Sequence, residues 1–259
     1  DRKINIYSDQ FDDKVSFSLD DLSGSKTWHK YVLGSIQEVF KTYNVSSGLN
    51  IFIHSNLPMG KGISSSAALE VALVNSLFEI FNIDKDDNEI IKICQKVDHK
   101  YIGIQSGVLD QSASQLSKLN SILKLDFNTG SFDYIDSNFS DCSWIIIDSM
   151  IKRELASSKY HERVNECKEA LDIISNSINN NISFPDVKQE YIYLIKDAKL
   201  KNRIKHYIEE NSRVLDMELA ISKNDNKLMG DILNESHCSL RDLYEVSCKE
   251  IDYLFKISS

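Results

Sequence analysis

The sequence has few of the residues that interrupt secondary structure and few that crosslink or bind metal. Nine glycines and two prolines in 259 residues give few turn signals, so the positions of these residues help to locate loops. Its five cysteines are widely spaced and form no CxxC pair, which favours reduced thiols in a cytosolic protein over a disulfide framework. The six histidines do not cluster at the spacing of a metal site.

Long apolar runs and excess positive charge are also missing. No run approaches the roughly 18–20 apolar residues that cross a bilayer, and the first residues contain no apolar signal core. The net charge of −9 leaves no basic patch for a nucleic acid. We therefore expect a protein that binds neither membrane nor nucleic acid. A phosphate ligand would need backbone N–H groups and a metal ion.

Hydrophobic periodicity predicts an α+β protein in two lobes. A mixed half with a β-sheet and helices is followed by a mostly helical half. We place the lobes at residues 1–140 and 141–259, with an Asn- and Ser-rich loop at 175–183. The predicted strands are 14–18, 49–54, 121–127, 132–135 and 143–148. The predicted helices are 27–42, 65–81, 87–101, 107–118, 158–174, 188–198, 200–223, 225–237 and 245–257.

The densest turn signal is a glycine-rich loop between a predicted strand and a predicted helix. Gly60 and Gly62 permit positive φ and close approach of a ligand to the backbone, and Ser64, Ser65 and Ser66 follow at the start of the helix. A helix N-terminus with free N–H groups binds anions. The spacing differs from a Walker A loop, because a glycine follows Gly60-Lys61 in place of Ser or Thr. A simple turn with serine N-caps is the alternative.

Two further segments carry charged residues at the ends of predicted elements. Asp98 and Asp110 flank a loop punctuated by Gly103 and Gly107, where a carboxylate can act as a base or a metal ligand. Asp110 taken alone also fits an ordinary acid in the first turn of a helix. Lys152 follows the predicted strand 143–148 and is placed to stabilise an anion, or is simply a solvated surface lysine.

In order along the chain, these segments closely resemble the galactokinase family of the GHMP small-molecule kinase superfamily. The stretch Pro-x-Gly-x-Gly-x-Ser-Ser-Ser-Ala resembles the family's phosphate-binding motif, and Gly-Val-Leu-Asp-Gln resembles its Gly-x-Met-Asp-Gln segment. The matching stretches are 28–34, 58–67, 107–111, 149–163, 203–214 and 236–248. The resemblance implies the two-lobed GHMP-kinase fold and ATP-dependent phosphorylation of galactose at its C1 hydroxyl, in the cytoplasm.

The resemblance also implies the nucleotide and metal contacts. ATP phosphates are assigned to the loop and the helix start, at Gly60, Lys61, Gly62, Ser64, Ser65 and Ser66. Ser66 and Asp98 are implied as Mg²⁺ ligands. The family has Glu where this chain has Asp98, and the shorter side chain implies a bridging water, a small helix shift or weaker metal binding. Trp28 matches an aromatic residue near adenine, with a helix-face core residue as the equal alternative.

The remaining implied roles concern the sugar and the transferred group. Asp110 is implied to accept or orient the proton of the C1 hydroxyl, and Lys152 to stabilise the developing negative charge. Gly107 and Tyr160 match sugar contacts of the family.

Two family motifs are absent from the chain. The N-terminal Gly-Glu-His-Thr-Asp sugar-binding segment and the C-terminal glycine-rich loop do not occur, so we expect a chain truncated at both ends that phosphorylates sugar poorly by itself. Without the first motif, a kinase for N-acetylgalactosamine, arabinose or another sugar remains an alternative. So do a non-catalytic galactose and ATP sensor and an acidic helical interaction domain.

Overall fold

A computed structural model describes residues 2–23, 26–137, 142–151 and 156–258. The chain divides into two compact units, Asp1–Lys118 and Leu119–Ser259. The boundary therefore falls earlier than the expected position 140. The physical reason is the hairpin that follows Lys118: it packs on a helix of the second unit, where Lys124 Nζ lies 2.6 Å from Glu218 Oε2.

The first unit is a mixed three-stranded sheet with four helices. Its elements are β1 (Lys3–Ser8), β2 (Asp13–Ser18), α1 (Thr27–Tyr43), β3 (Leu49–Ile53), α2 (Ser65–Ile80), α3 (Asp87–Val97) and α4 (Leu109–Leu116). The strand order is β2-β1-β3, with β1 antiparallel to β2 and parallel to β3. The expected mixed sheet is thus confirmed. β1 is not among the predicted strands, although Ile4 and Ile6 alternate with polar residues as strand residues do.

One face of this sheet and the helices enclose the core of the first unit. Ile4 and Ile6 of β1 are buried, and they join a cluster made by the apolar faces of α1, α2 and α3. At 25 cal/mol per Å² of apolar area, each fully buried Ile or Leu contributes about 1.5–3 kcal/mol before entropy costs. This packing fixes the positions of α2 and α3, and the candidate site lies at the start of α2 and the end of α3.

The second unit is a two-stranded sheet followed by helices. The elements are β4 (Ser121–Leu125), β5 (Phe132–Asp136), α5 (Ala156–Ile178), α6 (Ala198–Ser222), α7 (Asn226–Asp242) and α8 (Lys249–Ser258). The helix predicted at 188–198 is instead a short 3₁₀ turn, Gln189–Leu194, and α6 begins after Asp197, whose side chain accepts a hydrogen bond from Leu200 N. The Asp N-cap is the local cause of this break.

The predicted strand at 143–148 is wrong. Residues 142–151 contain no strand, and the side chains of Ile145 and Ile146 are each 79% exposed. A strand needs a neighbouring strand to pair its backbone, and within the described residues none lies alongside this apolar run.

Among the described helices, none combines the length and the apolar content needed to span a membrane.

Candidate active site

The glycine-rich loop between β3 and α2 has the backbone conformation that its sequence predicts. Gly60 and Gly62 have φ of +70° and +74°, and the space beside both residues is open. Ser64 precedes α2 with φ of +57°, makes no side-chain capping hydrogen bond, and no acid lies in the first turn. The alternative of a serine-capped turn is therefore not what forms. The helix start keeps its N–H groups and positive dipole end for an anion.

The turn between β1 and β2 holds the beginning of this loop. Gln10 Nε2 donates to the carbonyl oxygens of Ser55 and Leu57, at 2.6 and 3.4 Å. Ser55 Oγ in turn accepts a hydrogen bond from Leu57 N at 3.1 Å. The turn thus fixes where the loop leaves the sheet, which positions the glycines that follow.

Side-chain contacts show that α2 and α4 run in the same direction. Asn75 Nδ2 of α2 donates to Gln115 Oε1 of α4 at 2.7 Å, and Glu70 of α2 lies beside Gln111 of α4. The paired positions rise together along both helices, so their N-terminal ends lie at the same end of the unit. Two positive helix ends therefore face one region.

The helix α3 runs the opposite way and brings its C-terminal end to the same region. Gln115 Nε2 donates to Asp87 Oδ1 near the start of α3, at 2.6 Å. Gln111 Nε2 donates to Asp98 Oδ2 just past its end, at 2.8 Å. Asp98 therefore lies where α2 and α4 begin.

Asp98 is held rigidly at this end. It is 8% exposed and opens a π-helical turn, Asp98–Ile102, that Gly103 ends with φ of +83°. Oδ2 accepts hydrogen bonds from Ser106 Oγ at 2.7 Å and from Gln111 Nε2. His99 Nε2 donates to the Ser106 carbonyl oxygen at 2.9 Å and ties the returning loop to the turn. The hydrogen bonds described for this carboxylate all fall on Oδ2.

Glu70 is a second buried acid at the same place. It is 1% exposed, and neither carboxyl oxygen receives a hydrogen bond from a donor in the described part of the chain. Burial first, and then the negative charge of Asp98, raises the pKa of Glu70 to about 9. The residue was missed at the sequence level. Its signal was a charged residue on the apolar stripe of α2, in line with Ala67, Val74 and Leu77.

Asp110 lies in the first turn of α4 and is exposed to solvent. The next residue, Gln111, is 2% exposed and contacts Asp98, so the Asp110 backbone lies at the end where α2 begins. Gly107 is exposed in the loop before α4, with open space beside it. The structure thus brings Asp98, Gly107 and Asp110 to the same end of the first unit as the glycine-rich loop, and it leaves the Asp110 carboxylate accessible.

For three further predicted site residues, the described contacts show no link to this end of the unit. Trp28 is 8% exposed, and its ring stacks on Phe11 with centroids 5.2 Å apart, which favours the core alternative for this side chain. Lys152 lies outside the described residues. Tyr160 belongs to α5 in the second unit, and its side chain is outside the described part. The roles of these three residues stay predictions.

The donor set at this end fits a magnesium ion. The carboxylate of Asp98 and the hydroxyl of Ser66 are hard oxygen ligands. In the described ranges, no three His, Cys, Asp or Glu side chains gather to hold a metal by themselves. Mg²⁺ bound through one carboxylate, a hydroxyl, water and nucleotide phosphates needs no such cluster.

Comparison with known proteins defines the class first. Residues 30–118 match the family described as the GHMP kinases N terminal domain, a stretch that runs from α1 to the end of α4 and contains the candidate site. A mevalonate kinase from Methanococcus jannaschii has the same fold, with a TM-score of 0.63 at 18% identity over 99% of this chain and 70% of that one. The expected GHMP-kinase fold is confirmed.

More similar relatives define the family within this class. The galactokinase of Thermosipho africanus is 36% identical over 97% of this chain and 70% of its own length. That of Clostridium tetani is 38% identical over 97% of this chain and 66% of its own length. The structure of Lactococcus lactis galactokinase complexed with galactose matches all of this chain and 69% of that one, with a TM-score of 0.92 and 30% identity. The chain belongs to the galactokinase family.

Proposed function

We propose that the protein transfers the γ-phosphoryl group of ATP to the C1 hydroxyl of galactose, giving galactose 1-phosphate and ADP. The observation that carries this proposal is the meeting of three helix ends: the open glycine loop before α2, the start of α4 with Asp110, and the end of α3 with Asp98. Membership of the galactokinase family supports the choice of sugar and nucleotide.

The N-terminal end of α2 binds the phosphates. Gly60 and Gly62 let the backbone approach them, and the free N–H groups of Ser64, Ser65 and Ser66 donate to their oxygens. Lys61 adds a positive charge in the same loop. A Mg²⁺ ion held by Ser66 Oγ and Asp98 neutralises phosphate charge when it is bound.

Asp110 acts on the acceptor hydroxyl. The C1 oxygen forms a bond to the γ-phosphorus, the bond from that phosphorus to the bridging oxygen of ADP breaks, and the hydroxyl proton goes to the Asp110 carboxylate. Lys152 stabilises the transferring group, and Gly107 and Tyr160 contact the sugar.

Cysteine usage supports a cytoplasmic location. All five cysteines are free thiols, and Cys142 is exposed. Exposed free thiols persist in a reducing environment, which supports the cytoplasm.

The test compares Asp110→Asn with Asp84→Asn, a matched change at an exposed loop position between α2 and α3. In an assay of galactose-dependent ADP release by the full-length protein, Asp110→Asn loses about 10²–10⁴-fold in turnover, and its ADP affinity stays within a few-fold. Asp84→Asn keeps full turnover. A sensor would show no wild-type turnover, and equal turnover of both variants would refute the role of Asp110.

The same assay with N-acetylgalactosamine and arabinose decides the sugar. Phosphorus NMR of the product then locates the new ester, because a phosphate at C1 couples to the anomeric proton. A higher kcat/KM for another sugar would overturn the assignment to galactose and leave the kinase class intact.

A further inference from the structure

Ser106, in the loop before α4, contacts the segment that carries Asp98 through both its backbone and its side chain. It is half-buried, whereas its two neighbours in the loop are exposed. Its carbonyl oxygen accepts hydrogen bonds from Gln95 Nε2 of α3 at 3.1 Å and from His99 Nε2 of the π-helical turn at 2.9 Å. Its hydroxyl donates to Asp98 Oδ2 at 2.7 Å. The carbonyl contacts hold the loop, and the hydroxyl holds the carboxylate.

One carboxylate oxygen accepts hydrogen bonds from both ends of the stretch 106–111. Asp98 Oδ2 receives the Ser106 hydroxyl at 2.7 Å and Gln111 Nε2 at 2.8 Å. Between these two donors in the sequence lie Gly107, the proposed sugar contact, and Asp110, the proposed proton acceptor. Because both ends of the stretch are bound to the same atom, a shift of the carboxylate changes the support of both.

The two donors hold Asp98 in different ways. Gln111 belongs to α4 and is 2% exposed, so the packing of that helix fixes the position of its amide. Ser106 is the donor on the loop side. Hydrogen bonds to a carboxylate are about twice as strong as those between neutral groups. A carboxylate held by Gln111 alone can pivot about that single contact, and the second donor on Oδ2 restricts this motion.

We propose that Ser106 is a positioning residue for both the metal and the sugar. Its hydroxyl fixes the orientation of the Asp98 carboxylate, a proposed Mg²⁺ ligand, and the same hydrogen bond fixes the loop that carries Gly107. This inference rests on the proposed function, because the roles of Asp98 and Gly107 are taken from it. Its consequence is that one hydroxyl group affects the binding of Mg²⁺ and of galactose together.

Two substitutions isolate the hydroxyl from the rest of the residue. Ser106→Ala removes the hydrogen bond to Asp98 and leaves both carbonyl contacts, whereas Ser106→Thr keeps a hydroxyl. The matched control is Ser114→Ala, the same change at an exposed position of α4. Calorimetry of the full-length protein measures ADP binding at increasing Mg²⁺ concentration. Steady-state kinetics give the galactose KM and kcat, and thermal melting checks that each variant is folded.

The expected result is a joint loss in one variant only. Ser106→Ala raises the Mg²⁺ concentration for half-maximal ADP binding by about 10–100-fold, the size of effect that outer contacts of a metal ligand have. The galactose KM rises by about tenfold and kcat at saturating Mg²⁺ stays within about threefold, because binding contacts are displaced while the reacting groups are intact. Ser106→Thr and Ser114→Ala keep wild-type values of both parameters.

Three outcomes overturn the positioning role. These are wild-type values of both parameters in Ser106→Ala, a change in only one of them, and an equal loss in Ser106→Ala and Ser106→Thr. If Ser106→Ala does not fold, Ser106→Cys replaces it, because the thiol fills the space and donates only weakly. Wild-type values of both parameters in Ser106→Cys would then refute the proposal. Absence of Mg²⁺-dependent ADP binding or of galactose turnover in the wild type would instead refute the proposed function.

Discussion

Arg203 in the second unit and the acids Glu70 and Asp98 in the first unit are buried charged side chains with opposite surroundings. In the second unit Arg203 is 0% exposed and fully paired: Nε lies 2.7 Å from Glu166 Oε2, and Nη2 lies 2.6 Å from Glu245 Oε2. In the first unit Glu70 and Asp98 are buried, and within its described residues neither is paired with a cation: Asp98 accepts hydrogen bonds from Ser106 and Gln111, and Glu70 receives none.

This contrast distinguishes buried charged groups that hold the fold together from buried charged groups at the proposed ligand site. The cluster around Arg203 links α5, α6 and the segment after α7 with each charge satisfied, so its role is to hold those elements together. The acids of the first unit lie where a metal and a phosphate are proposed to bind. A buried carboxylate that lacks a cation is retained where a ligand supplies the positive charge.

The largest effect is expected from breaking the paired cluster. Arg203→Leu leaves Glu166 and Glu245 without their central partner and lowers the free energy of unfolding by about 3–5 kcal/mol. Lys205→Ala, on the same helix, removes an exposed ion pair with Glu209 and costs less than about 1 kcal/mol. Urea denaturation measures both. Equal stability of the two variants would contradict the distinction between buried and exposed pairs.

A matched pair of glycines sharpens the comparison of the units. A Cβ at Gly34 of α1 would meet Tyr101 Cγ and Val97 Cγ1 at 2.9 Å, whereas a Cβ at Gly230 of α7 meets nothing. Gly34→Ala therefore overpacks the π-helical turn beside Asp98 and costs about 1–3 kcal/mol. Gly230→Ala gains about 0.5–1 kcal/mol from helix propensity.

Thermal melting of the two variants provides the measurement, with Mg²⁺-dependent ADP binding as a second readout. Gly34→Ala weakens this binding because the turn that carries Asp98 shifts, and Gly230→Ala leaves it unchanged. A stable Gly34→Ala protein would show that α1 and the turn are not closely packed.

The contributions of Glu70 and Glu166 to the pH dependence of stability differ in sign. The raised pKa of Glu70, about 9, gives a contribution present below the ordinary value of about 4.5 and lost as the pH rises toward 9. Hydrogen bonds from Lys199, Arg203 and Arg163 outweigh burial and hold the pKa of Glu166 at about 2, so its contribution is lost as the pH falls from about 4.5.

Glu70→Gln is therefore expected to flatten the loss of stability between about pH 5 and 9, by at most about 1.4 kcal/mol per pH unit. Glu166→Gln flattens the loss below about pH 4.5 instead. Melting temperatures across pH 3–9 test both, and the same change of slope in both variants would contradict the contrast.

The parts of the fold that the sequence predicts correctly are local in origin. The glycine-rich loop, the helix after it and the strand before it are encoded by neighbouring residues: β3 was expected at 49–54 and forms at Leu49–Ile53. The strand predicted at 143–148 does not form. The short apolar run Trp144–Ile147 does not specify a partner strand, and a strand exists only when another strand pairs with it.

The sequence indicates the residues proposed to bind ligands, but it does not indicate the contacts that support them. Asp98 and Asp110 stand out by their position near glycines and by the family resemblance. Glu70 and Ser106 were missed because their roles depend on contacts between elements, which periodicity does not report. For Trp28, the sequence pattern could not decide between core and adenine, because a buried aromatic on a helix face has the same spacing in both cases.

The most direct test of the central claim is an amide NMR titration with ADP and Mg²⁺. Glycine amides resolve well, and the chain offers Gly60 and Gly62 beside the proposed phosphates and Gly230 on α7 as a control. Large, saturable shifts at Gly60 and Gly62 with an unchanged Gly230 are the predicted result. Saturated nucleotide binding that leaves Gly60 and Gly62 unmoved would contradict the account.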